Sequence, residues 1–89
     1  MVETSSRDLH PTHGGRFVLT RVGSSDVLEY EVAIHLPEGR RLDARLRWTD
    51  GQPRLEPALD DAWAEAETLK LARILRRAPR PSLMRWRGR

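Results

Sequence analysis

The chain has 89 residues and no cysteine, and its 16 Lys or Arg against 13 Asp or Glu give a formal net charge of +3. That length holds one small domain, and the lack of cysteine excludes a disulfide scaffold, a thiolate zinc site and a thiol nucleophile. Hydrophobic residues at 38% and charged residues at 33% suit a globular core. No apolar run approaches the roughly 18–20 residues of a membrane span, and no signal-peptide stretch opens the sequence. A cytoplasmic protein is the expectation.

Residues 1–15 read as a disordered polar tail, since neither a helical nor a strand period runs through them. His10 and His13, with Asp8 nearby, are spaced for a metal only on a helix, which Pro11 and Gly14-Gly15 oppose. No metal and no cofactor is expected.

The domain is placed at residues 16–78. Residues 16–22 form a first strand, and Gly23 to Asp26 make a turn. Residues 27–36 alternate with period two: Leu28, Tyr30, Val32, Ile34 and Leu36 on one face, Glu29, Glu31, Ala33 and His35 on the other. After Pro37-Glu38-Gly39, residues 41–49 alternate again, with Leu42, Ala44, Leu46 and Trp48 facing inward. Asp50-Gly51 is a two-residue hairpin signal, and a short fourth strand over residues 52–55 is held to an edge by its prolines. Matching apolar faces sets Phe17 opposite Val32, Leu19 opposite Tyr30, Ile34 opposite Ala44 and Val32 opposite Leu46. The same register sets Glu31 opposite Arg47 and His35 opposite Asp43.

Residues 59–78 read as a helix, with Asp60 and Asp61 at its start and Arg73, Arg76 and Arg77 at its end, as the helix dipole prefers. Leu59, Ala62, Trp63 and Ala66 form one apolar stripe, and Leu71, Ile74, Leu75 and Ala78 a second, rotated one. The fold class is therefore α+β: a three- to four-stranded antiparallel meander followed by one helix packed on one face, βββα, with flexible tails at both ends.

Charge is split along the chain. Residues 1–75 carry ten cations and all thirteen acids, whereas residues 76–89 carry six arginines and no acid. Residues 79–89, interrupted by Pro81 and rich in arginine, read as a disordered basic arm. Arg76, Arg77, Arg80, Arg85, Trp86, Arg87 and Arg89 combine phosphate-seeking guanidiniums with one stacking ring, so nucleic acid bound without sequence specificity is the leading expectation. An acidic protein surface is the other anionic partner. Arg41, Arg45 and Arg47 form a secondary basic face, which Glu29, Glu31 and Asp43 can neutralise across the ladder. The breadth of the helix's apolar surface makes Leu69, Leu71, Ile74 and Leu75 the candidates for an adaptor or homodimer interface. An enzyme is not expected: His35 beside Asp43 could be a general base, but no nucleophile accompanies it.

Overall fold

A computed structural model describes residues 13–23 and 27–89. The element order is β1 (Gly15–Arg21), β2 (Glu29–His35), β3 (Arg41–Thr49), β4 (Gln52–Glu56), α1 (Ala62–Arg77) and β5 (Ser82–Arg87). The five strands form one antiparallel sheet in the order β4-β3-β2-β1-β5. The architecture is α+β, with one helix on one face of the sheet.

Three expectations are corrected. Residues 82–87 are a strand, not an arm: β5 pairs with β1, setting Leu83 opposite Leu19 and Trp86 opposite Arg16. Its cause is tertiary. The edge of β1 is open, and Leu83 is a buried member of the core there. At the other terminus, Gly15 begins β1 and Gly14 is buried beneath β5, so residues 13–15 belong to the fold. The remainder of the expected tail, residues 1–12 with Asp8 and His10, lies outside the described residues, as do residues 24–26 of the first turn.

The register is the second correction. Phe17 lies opposite Ile34, Leu19 opposite Val32, and Val32 opposite Ala44. Both ladders are shifted by two residues from the expectation. A shift of two preserves every face, so apolar matching cannot detect it. Turn geometry decides instead: Leu36 N–H donates to the Arg40 carbonyl at 2.8 Å, closing a three-residue loop with positive φ at Glu38 (65°) and Gly39 (74°). Val22 N–H donates to the Glu29 carbonyl at 2.9 Å, which lengthens the first connection. The Asp50-Gly51 turn forms as expected, with φ of 53° and 80° and Thr49 opposite Gln52.

The third correction concerns the helix. Its buried residues are Ala64, Thr68, Leu71, Ala72 and Leu75, one continuous stripe rather than two rotated ones. Ala62 and Ala66 are exposed. Asp61 is the N-cap, accepting the Ala64 N–H at 3.0 Å. Thr68 satisfies its buried hydroxyl by donating to the Ala64 carbonyl at 2.8 Å. The stripe lies on Phe17, Leu19, Tyr30, Val32, Ile34, Leu46 and Leu83, and Trp48 and Trp63 pack half-buried against this core. Among the described residues no helix lies over the other face of the sheet.

A candidate anion-binding surface

The expected basic arm is divided by the fold into groups with different fates. Arg87 points to the helix side of β5 and lies 3.6 Å from the Glu67 carboxylate. Arg89 donates to Asp61 Oδ2 at 3.1 Å, and its guanidinium sits 5.0 Å from the Trp63 ring. These two arginines are tied down by internal carboxylates. Arg85 turns back on its own strand and donates to the Met84 carbonyl at 2.9 Å. Trp86 is carried to the open face of the sheet, 51% exposed.

The secondary basic face is neutralised as the cross-strand acids allow, although in the shifted register. Arg45 donates to Glu29 at 2.8 Å and approaches Glu31 at 3.5 Å. Arg47 meets Glu29 at 3.1 Å and Glu56 at 3.3 Å. Arg41 bonds Asp43 at 2.9 Å. Hydrogen bonds from Arg45 and then Arg47 hold the Glu29 carboxyl below its usual value, outweighing desolvation, and the same pair raises Arg45.

The expected register placing His35 directly opposite Asp43 is not the one found. His35 stands opposite Arg41, and Asp43 opposite Ala33. Among the described residues no group of three or more His, Asp or Glu is gathered for a metal ion.

Four cations grouped at one end of the helix define the candidate site. Arg73, Arg76, Arg77 and Arg80 are all exposed, on the last turns of α1 and the residues just after it. Among the described residues none of the four has a carboxylate within ion-pair distance. Lys70, Arg73 and Arg77 fall at i, i+3 and i+7 and share one helical stripe. The fold holds Arg80 at the end of this row: the Tyr30 hydroxyl donates to the Arg80 carbonyl at 2.7 Å and accepts its N–H at 3.3 Å. Arg73 was not among the residues singled out for binding, because the helix dipole alone explains a cation there. Its signal is that no acid follows Glu67 anywhere in the sequence.

Of the expected apolar interface, Leu71 and Leu75 are fully buried in the chain's own core, and only Ile74 (37%) is exposed, with Leu69 half-buried. The width of apolar surface on α1 is consumed by a five-stranded sheet where a narrower meander was expected.

No family model, curated protein or solved structure matches the chain.

Proposed function

We propose that the chain is a small, non-enzymatic, cytoplasmic binding module that takes nucleic acid without sequence specificity. Its phosphate-contacting surface is the C-terminal end of α1, not a free arm. The observation that carries this reading is the grouping of four exposed arginines, Arg73, Arg76, Arg77 and Arg80, within eight residues at one end of the helix, with no carboxylate in ion-pair distance among the described residues, whereas Arg41, Arg45, Arg47, Arg87 and Arg89 are paired and the exposed Arg40 and Arg54 stand singly on other elements. Guanidiniums that lack internal partners and are fixed on a helix are preorganised for phosphate oxygens, which they grip in a fork. The row itself consists of guanidiniums, whose contacts to phosphate would position the backbone without specifying sequence.

The test is a fluorescence-anisotropy titration of labelled oligonucleotides across a salt series. Binding at low salt should fall linearly on a log–log plot. The quadruple Arg73→Gln, Arg76→Gln, Arg77→Gln, Arg80→Gln variant should keep the wild-type melting temperature and lose about 0.9 of slope for each phosphate contact removed. Unmeasurable binding at low salt, or a variant with unchanged slope, would overturn the proposal.

A further inference from the structure

Among the described residues no helix lies over the sheet face opposite α1; most of that face carries the charge ladder of Glu29, Glu31, Arg45 and Arg47, and one strip of it differs. One row crosses it from β3 to β5 as Arg41, His35, Arg16 and Trp86, each opposite the next. Three strand spacings make this row about 14 Å wide. Beside it runs a second row of Ala33, Val18 and Met84, with Met84 43% and Trp86 51% exposed. The small side chains of the second row floor an open depression of about 430 Å³, rimmed by Arg16, Arg41, Thr20 and Glu31.

We infer that this face is a stacking platform for an unpaired nucleotide segment, with Trp86 as the ring and Arg16 as the phosphate contact. This deepens the proposed function and rests on it. Two independent observations single out that occupant. First, the rim's other charges are spent internally: Arg41 on Asp43, and Glu31 on Arg45. Arg16 has no carboxylate within ion-pair distance among the described residues, and its guanidinium instead lies 5.9 Å from the Trp86 ring. That leaves its guanidinium available to an anion. Second, Trp86 is half-exposed on the edge strand β5 and offers a ring for stacking beside the Arg16 guanidinium. A base stacks on an indole whatever its identity, and a stacked base brings its phosphate next to the ring. A paired duplex cannot use the platform, because its bases are already stacked on one another. The platform therefore adds a preference for unpaired strands that the helix-end arginines do not supply.

Equal-length single-stranded and duplex oligonucleotides, titrated with the full chain at low salt, test this. The wild type should bind the single strand more tightly. Trp86→Leu keeps apolar bulk and removes the extended ring, and it should weaken single-strand binding by roughly tenfold while leaving duplex binding unchanged. Trp86→Phe should restore most of the loss, and Arg16→Gln should weaken single-strand binding alone. Equal binding of both forms, or Trp86→Leu without effect, would overturn the platform and leave the helix-end surface standing. No binding of either form would overturn both. A Trp86-dependent dimer in sedimentation, without strand preference, would assign the face to a second copy and overturn the inference.

Discussion

Arg89 closes on Asp61 at 3.1 Å, so the far end of the chain grips the residue that caps α1. One Asp61 oxygen serves the Ala64 N–H and the other serves the guanidinium. Capping hydrogen bonding first, and Arg89 second, hold this carboxyl below the usual aspartate value against the opposing effect of burial. A depressed carboxyl contributes stability that is present above the unfolded value, near about pH 3.9, and is lost as pH falls through the folded value. Asp61→Ala should therefore destabilise the fold by about 1 kcal/mol at neutral pH. It should also flatten the acid limb of the melting curve, as thermal melts followed by circular dichroism between about pH 6 and 2 will show. An acid limb as steep as the wild type's would refute the role of this carboxylate.

Gly14 shows how closely the C-terminal strand is packed. Its φ is +72°, and a Cβ built there would fall on the Arg87 carbonyl oxygen. Both backbone conformation and close approach demand glycine. Gly14→Ala should cost on the order of 1–3 kcal/mol in urea unfolding. It should also accelerate amide exchange in β5 before exchange in β2 or β3.

Leu83 is 3% exposed and sits opposite Leu19 in the core. Leu83→Ala should cost about 2–4 kcal/mol by chemical denaturation. Removing residues 82–89 should produce an unfolded or aggregating chain, because the edge of β1 and the side chains beneath Leu83 would be bared. A truncation that melts like the full chain would contradict the structural role of β5. For the same reason, the contribution of the basic residues to binding must be measured by substitution and not by truncation.

The contrast between β5 and β2 explains what was legible in the sequence. In β2 every second residue is apolar and points inward, so a local period reveals the strand. In β5 the inward positions are Leu83, Arg85 and Arg87, and the outward ones include Met84 and Trp86. The apolar signal is inverted relative to the core, and arginine density following two prolines imitates a tail. The strand exists because β1 offers a free edge some sixty residues earlier in sequence, a non-local cause that no window contains. The Asp50-Gly51 turn is legible because its chemistry is local, whereas α1 starts at Ala62, three residues after the expected 59, with Asp61 as its cap. The two-residue error in register has a similar origin, since the loops and not the faces determine it. Of the candidate site, Arg76, Arg77 and Arg80 were legible from charge alone, whereas the separation of Arg87 and Arg89 from them, and the meeting of Arg16 with Trp86, depend on pairing across the sheet.

Glu29 is the hub of the outer charge ladder, and its protonation is a direct reporter of it. Arg45 donates at 2.8 Å and Arg47 at 3.1 Å to the same Oε2. A carbon-detected titration should find the Glu29 carboxyl below the usual glutamate range, and in Arg45→Gln it should move back up. The stability it contributes is present above the unfolded glutamate value, near about 4.3, and declines as pH falls through the folded one. An unmoved Glu29 titration in Arg45→Gln would show that the pair does not persist in solution.

Tyr30 links the core to the proposed binding surface. Its ring is fully buried on β2, edge-on to Trp48 at 6.2 Å, while its hydroxyl holds both backbone groups of Arg80. The segment between α1 and β5 has two prolines, which cannot supply N–H groups of their own. The tyrosine hydroxyl fixes the middle of that segment, between the Ala78 N–H bond to the Ile74 carbonyl and the Arg21 N–H bond to the Pro81 carbonyl at 2.8 Å. Tyr30→Phe keeps the ring and removes the hydroxyl, leaving Arg80 with a backbone donor and acceptor to satisfy elsewhere. The expected loss is about 1–2 kcal/mol of stability, the scale of a buried hydrogen bond left unmade. Amide exchange at Arg80 should quicken, and oligonucleotide affinity should drop modestly because one of the four arginines is no longer held in the row. Faster exchange at Arg80 with unchanged affinity would show that Arg73, Arg76 and Arg77 suffice for the phosphate contact.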